Sequence, residues 1–332
     1  GVSVATVSRV LSGSRNVAPE LSARVLQAQE QLGYRPNLLA SGLRRQRTDT
    51  IGMVVPQVSN PYFSTLMGAV SRRLQRKGKT VLLVDAEDDP VTEAEGLHRL
   101  LDRSIDGLLT VPVDEYASTP ALTEAARLVH LVQLDRAAEG VAADLVAVDH
   151  LAGIRMAVEH LVDLERTDLA LVSAEPRDST ARERAHAFHD AVGALGATSR
   201  EPLFGTYTVE WGRAAARQLT ETGALPQAIV CGNDLIALGV LSALSEASVP
   251  VPGAVAVTGY DDIGFATLTR PALTTVRQPV DTIAEAAVDR LLGSGSTDRV
   301  SVQRFAPTLI VRASTDPAVN GSSSILGAEG RP

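Results

Sequence analysis

GVSVATVSRVLSG, residues 1–13, decides how the rest of the chain is to be read. Ser3 can cap a helix starting at Val4, its hydroxyl taking one of the free N–H groups of the first turn. Val7, Val10 and Leu11 then share one face by helical spacing, while Ala5 and Arg9, four apart, point the other way. Gly13 stops this helix. A second helix is expected to open with Pro19 in its first turn, to run Leu21, Val25, Ala28 and Leu32 along one side, and to end at Gly33. Two helices of this length bury little surface, so a third element is needed to complete their core.

Beyond Thr50 the period changes. Apolar runs recur at 51–55, 81–84, 108–111, 130–134, 145–148, 169–172, 228–230 and 255–257, with helical stretches between most of them. Strands that do not alternate are buried on both faces, which calls for parallel sheets flanked by helices and an α/β fold class. Right-handed crossovers put ligand sites at the carboxyl ends of such strands. Those ends carry Ser59-Asn60-Pro61-Tyr62-Phe63, Asp85, Asp149, a loop with Arg182 and Arg184, Asn233-Asp234, and Tyr260-Asp261-Asp262. Aromatics, carboxylates, an amide and arginines converging on one cleft suit a neutral polyhydroxylated ligand. Helix capping by Asn233 or by Asp261-Asp262, and pairing of Arg184 with Asp190 or Glu183, are the structural alternatives for these residues.

Composition bounds the rest. With 332 residues, 45% hydrophobic and 21% charged, the chain falls in the globular range and predicts two domains plus an appendage. The net charge of −8 is unevenly spread. Arg9, Arg15, Arg24, Arg35, Arg44, Arg45 and Arg47 face only Glu20, Glu30 and Asp49 within residues 1–50, so that segment is basic and the remainder strongly acidic. Such asymmetry directs a nucleic acid to one end and keeps it off the other. No apolar run approaches the roughly 20 residues of a membrane span. The start has no apolar signal core, and the lone Cys231 cannot form an internal disulfide; both fit a cytoplasmic location without membrane contact.

Taken together, GVSVATVSRVLSG, LGYRPN and LRRQRT resemble the DNA-binding head of the LacI/GalR family of bacterial transcription regulators. SNPYF, VDH, ARERAHAF, CGNDLIALG, VTGYDD and ALTTVRQP stand at that family's positions and in its order. In the family another helix precedes the Gly-Val-Ser turn, so the head as it stands is expected to be amino-terminally truncated.

The resemblance implies a helix-turn-helix head with a hinge helix, then two doubly wound parallel-sheet lobes of periplasmic-binding-protein type. It places the head at 1–47 with its hinge helix at 37–45, and the body at 48–314. Lobe 1 would hold about 50–148 and 279–306, lobe 2 about 149–278 and 307–314, with a flexible tail at 315–332. Ser3, Val4, Ala5, Thr6, Ser8 and Arg9 fall on DNA-contacting positions, with Val4, Ala5 and Arg9 facing base edges. Arg9 is the one of these able to make a bidentate contact with guanine. Asn37 would cap the hinge helix, Leu43 would wedge into the minor groove, and Arg44 and Arg45 would hold flanking phosphates. Arg184, Asn233 and Asp261 match the principal effector contacts and Tyr207 the covering aromatic. Asp149, Arg182 and Gln278 are further contributors, and Tyr62 and Phe63 line the other lobe. His150 and Ala187 depart from the family, where asparagine and glycine are common.

The implied function is a ligand-responsive regulator, a repressor that binds a palindromic double-stranded operator as a homodimer under control of a sugar or sugar derivative. A solute-binding protein of a sugar transport system is the alternative. An enzyme is not expected: there is no GxSxG, no CxxC, and no GxGxxG after a strand. Gly78-Lys79-Thr80 lacks the earlier glycine of a phosphate loop. His186 and His189 read as surface residues of a helix, and neither metal nor cofactor is expected.

Overall fold

The structure is a computed structural model that describes residues 1–11, 17–33, 48–221, 223–293, 300–316, 318 and 324–326. The chain divides into two compact units, Gly1–Asp49 and Thr50–Pro332.

In the first unit, helix α1 spans Val4–Leu11 and helix α2 spans Pro19–Leu32. Ser3 Oγ accepts the Thr6 N–H at 3.2 Å and lies 2.9 Å from Thr6 Oγ1, the cap that the sequence implied. Gly33, at φ 59°, closes α2 by donating its N–H to Gln29 O and Glu30 O. Val10 and Val25 are buried where the helices meet, and Val7 and Leu11 are partly covered. Leu32 stays 80% exposed, although its spacing puts it on the buried side of α2. Two short helices lack the surface to cover it. They leave an open apolar groove of about 400 Å³ lined by Val2, Val7, Leu11, Val25, Ala28 and Leu32, among others.

The second unit is built on two sheets. The first holds β1 (Thr50–Val55), β2 (Thr80–Asp85), β3 (Gly107–Thr110), β4 (Leu131–Leu134), β5 (Asp144–Val148) and a late strand β12 (Val302–Phe305). Its order is β12-β5-β4-β3-β1-β2, parallel throughout. Helices α3 (Pro61–Arg76), α4 (Pro90–Leu101) and α5 (Thr119–Leu128) connect the early strands. The second sheet begins after α6 (His150–Asp163). It contains β6 (Asp168–Ala174), β7 (Thr198–Ser199), β8 (Leu203–Gly205), β9 (Ala228–Cys231), β10 (Ala256–Asp261) and β11 (Thr274–Arg277), with α7 (Ser179–Ala194), α8 (Val209–Glu221) and α9 (Asp234–Glu246) between them. The chain then returns to the first sheet through α10 (Val280–Leu292) and β12, and crosses once more into β13 (Thr308–Val311). β13 adds antiparallel to β11, and β14 (Ser324–Leu326) adds antiparallel to β13. Within the stretch expected to be a flexible tail, therefore, Thr315 is buried against Thr274 and 324–326 belongs to a sheet edge.

Burial explains which strands were legible. β1, β3, β4, β5, β6, β9 and β10 are buried almost end to end, as unbroken apolar runs require. β2 is different: it forms the sheet edge and is only half covered despite its apolar sequence. β12 reads Val-Gln-Arg-Phe and is mostly exposed, so no hydrophobic run announced it. α8 and α9 cross at Gly212 and Gly239, where a Cβ would collide with Ile236 O and Val209 O respectively. Gly239→Ala is expected to destabilise the body by about 1–3 kcal/mol through overpacking, read as a lower urea midpoint at an unchanged m-value.

Candidate functional site

The carboxyl ends of β1, β4, β6, β9 and β10 converge where the two sheets face each other. Asn60 caps α3, taking the Tyr62 N–H at 3.0 Å, and so fixes Tyr62 and Phe63 at the helix start. The Tyr62 hydroxyl lies 3.0 Å from Asp135 Oδ1 and 2.9 Å from Gln278 Oε1. Gln278 Nε2 in turn donates to Asp261 Oδ1 at 2.8 Å. One hydrogen-bonded chain therefore runs from α3 of the first lobe to the end of β10 in the second.

Arg184, on α7, is 2% exposed. Its guanidinium donates to Gly232 O at 2.6 Å, lies 3.6 Å from Asp261 Oδ1, and stacks 3.7 Å over the Tyr260 ring. A Cβ on Gly153 of α6 would collide with that ring, so glycine there admits Tyr260. Burial pushes the Asp261 carboxyl up to about 7, against the pull of Arg184. Asp261 also holds φ at 107° and Asp135 at 61°, left-handed values that non-glycine residues rarely adopt. His150 is buried beside Arg184, and desolvation with that neighbouring charge holds its pKa well below 6.5. The ring is then neutral: Nδ1 lies 3.0 Å from the Tyr260 hydroxyl and 3.5 Å from Arg184 Nε, leaving Nε2–H for Thr180 Oγ1 at 3.3 Å.

Of the expected cleft residues, Tyr62, Phe63, Arg184, Tyr207, Asn233 and Asp261 line one cavity together with Asn60, Asp135, Arg136 and Thr180. Its free volume is about 10 Å³, near the minimum for one water. Gln278 stands behind it, bonded to two of its walls. Asn233 also caps α9 through the Ile236 N–H at 2.9 Å, so capping and cavity lining coexist in one side chain. Asp149 is not among the walls; it caps α6 by accepting from Ala152 N at 3.0 Å. Arg182 forks onto Glu115 across the lobes at 2.7 Å for both bonds. Glu183 pairs with Arg304 and Asp190 with His186, so neither competes for Arg184. Asp135 and Arg136 were missed, although they directly follow the apolar run 131–134 and obey the same strand-end rule as the residues that were found.

Under this cavity sits Glu93 of α4, fully buried, whose Oε1 accepts the Val113 N–H at 3.1 Å. Val113 O in turn faces Arg136 at 3.5 Å. Burial pushes the Glu93 carboxyl up to about 7. Folded, it stays protonated to that pH, whereas the unfolded group ionises near 4.5. The protein is therefore expected to lose about 3 kcal/mol relative to Glu93→Gln as pH rises from 4 to 8, with no further divergence above, measured by denaturant unfolding across that range.

In the head, Val4, Ala5 and Arg9 lie on the exposed face of α1, with Val4 84% exposed, and Ser3 and Thr6 form its capped start. Ser8 lies within the same helix. Asn37, Leu43, Arg44 and Arg45 fall outside the described residues.

Residues 1–37 match the pattern of bacterial regulatory proteins of the lacI family, and residues 158–315 match a periplasmic binding protein-like domain. The first match goes against the transport alternative. The chain is 32% identical over 318 residues to the ribose operon repressor of Escherichia coli K12, covering 95% of this chain and 96% of that one. It is 35% identical to the HTH-type transcriptional regulator MalR of Streptomyces coelicolor, over all of this chain and 96% of the relative. The crystal structure of the Lac repressor dimer bound to operator and the anti-inducer ONPF superposes with a TM-score of 0.87 at 27% identity, covering 95% of this chain and 96% of that one. These relatives are transcriptional regulators rather than enzymes, and the chain belongs to the LacI family of bacterial regulatory proteins.

Proposed function

We propose that this protein is a dimeric repressor that holds a palindromic operator and is controlled by a small polyhydroxylated effector, a sugar or sugar derivative, bound between the lobes. The observation that carries the reading is the buried Arg184–Asp261 pair at the cleft, tied through Gln278 to Tyr62 of the opposite lobe. Carboxylates, an amide and guanidinium groups beside Phe63 and Tyr207 offer paired donors and acceptors for hydroxyls and ring faces for C–H surfaces. Tyr62, Phe63, Arg184, Tyr207, Asn233, Asp261 and Gln278 are the proposed effector residues. Asp149 and Arg182 act at the lobe crossing and the cleft mouth. The names of the ribose operon repressor and of the operator-bound Lac repressor support both halves of the proposal.

On the DNA side, Val4, Ala5 and Arg9 would face base edges in the major groove while Thr6 and Ser8 hold phosphates and Ser3, capping the helix, adds a further DNA contact. Asn37, Leu43, Arg44 and Arg45 would form the hinge contact. Twofold half-site recognition requires a dimer. The uncovered edge strand β2 with its exposed Leu83, and the exposed Phe265 and Leu268, support self-association. Effector binding would act as a difference in affinity between two dimer arrangements, not as a contact with DNA. A regulator of this kind works in the cytoplasm; no helix among the described residues is long and apolar enough to cross a membrane.

Two measurements test the reading. Operator duplexes selected from a random pool should be palindromic, and Arg9→Ala should weaken the best of them by about 1–3 kcal/mol in fluorescence anisotropy, with specificity lost at one base pair per half-site. Arg184→Ala should abolish the shift in operator affinity caused by an active member of a D-ribose, D-glucose and maltose panel. Operator binding without sugar should stay within a few-fold. Collapse of operator binding with sugar binding intact would reverse the assignment of the two sites.

A further inference from the structure

The side chains that fill the closed cleft are unequally held. Tyr62 makes contacts of 2.9 and 3.0 Å, Arg184 donates at 2.6 Å, Asn233 accepts at 2.9 Å, and Asp261 accepts at 2.8 Å. The Tyr207 hydroxyl also lacks a partner, but among the charged walls Arg136 is the exception. It is 4% exposed, yet its Nε has no hydrogen-bond partner, and its approach to Val113 O is stretched to 3.5 Å. The nearest carboxylates, Asp178 and Asp135, stand 3.5 and 4.0 Å away. Besides the Asp178 ion pair, it is held by a pair of aromatic rings, one from each lobe. Its guanidinium carbon is 5.5 Å from the Phe63 centroid and 5.4 Å from that of Tyr207. A planar group between two rings stands where a sugar ring with apolar C–H faces would fit. Next to it, and sharing Tyr207 as a wall, lies a second cavity of about 160 Å³ lined by Asp88, Glu175, Arg177 and Asp178.

Taking the effector reading above as its base, we infer that Arg136 is an internal plug. Its guanidinium occupies the place between Phe63 and Tyr207 that the effector ring takes, and binding drives it into the neighbouring acidic cavity. Three reasons make Arg136 the group that moves. Its hydrogen bonds are stretched, and its ion-pair partner Asp178 also lines the adjoining cavity, so the guanidinium can move there without giving up that carboxylate. Asn60, Tyr62, Asp135, Arg184, Asn233 and Asp261 would each have to break a contact of 3.0 Å or less, and Thr180 and Tyr207 carry no charge for the neighbouring carboxylates to receive. The adjoining cavity has room for several waters at roughly 30 Å³ each, and carboxylates from both lobes, Asp88 and Asp178, to receive a positive charge. The plug also bridges the lobes, so its removal loosens their closure.

Calorimetric titration of the full chain, Arg136→Ala and Arg136→Lys with D-ribose, D-glucose and maltose tests this. Lysine keeps a charge facing Asp178 but has no planar group to stack, which guards against misfolding of the alanine variant. Both variants are expected to bind the sugar accepted by the native protein about fivefold or more tightly. Weaker binding would make Arg136 a direct ligand contact, and affinities within twofold would make it structural; either overturns the plug. Should none of the three proteins bind a saccharide, the effector reading fails, and small-angle scattering of the sugar-free proteins decides the plug. A larger radius of gyration for Arg136→Ala supports it, and identical profiles overturn it.

Discussion

A permanently charged guanidinium, that of Arg184, is held inside the body of this protein, and the cleft is organised around the need to compensate it. Water is excluded there, so the charge must find partners from the chain. Gly232 O at the end of β9, Asp261 at the end of β10 and the face of Tyr260 supply them. Gly232 follows β9 while Tyr260 and Asp261 end β10, so one side chain on α7 pins two strand ends of the second lobe. Asp261 adopts a left-handed backbone to reach it, and Gly153 must lack a side chain to let Tyr260 lie beneath it. Breaking such a buried pair from one side costs roughly 3–5 kcal/mol, which makes this cluster rigid compared with anything else in the cleft.

The contacts that close the lobes are of another kind. Arg177–Asp88 and Arg304–Glu183 join side chains that still see solvent, and exposed pairs contribute about 0–1 kcal/mol each; in Arg182–Glu115 the arginine is half exposed while the carboxylate is buried. Backbone contacts from Glu115 N to Arg177 O and from Ala137 N to Ser179 Oγ add to them. A rigid pocket floor and a weakly fastened mouth are the combination that lets a ligand of modest size bias the angle between two domains. The three chain crossings, after β5, after β11 and between β12 and β13, are the only covalent links that the described residues show between the lobes. Arg136 belongs to the movable set by its geometry even though it is buried as deeply as the rigid one.

Strand ends mark much of this cleft in the sequence, because a parallel sheet buried on both faces announces itself by unbroken apolar runs. The rule failed where it was not carried through, at Asp135 and Arg136. It also could not reach Thr180 and Asp178, which open α7 rather than end a strand. Asp149 and Arg182 illustrate the opposite limit. Both stand next to cleft residues in sequence, yet one turns inward to cap a helix and the other reaches across to Glu115. β12 left no hydrophobic signal of its own, and β13 carries only the short buried run Leu309-Ile310-Val311; each returns the chain to a sheet already formed.

The order of residues by itself determined the buried strands and the helices between them, the capped α1 with Val4, Ala5 and Arg9 turned to solvent, the basic-to-acidic division of charge, and the family. These depend on local spacing and composition, which a linear chain carries in full. Tertiary structure alone decided which polar side chains share one cavity, that Asn233 both caps and lines, that His150 is neutral, and that Arg136 lies between rings from two lobes. Those facts depend on burial and on distances between residues far apart in sequence. Dielectric environment and cross-lobe proximity come into being only when the two sheets close on each other.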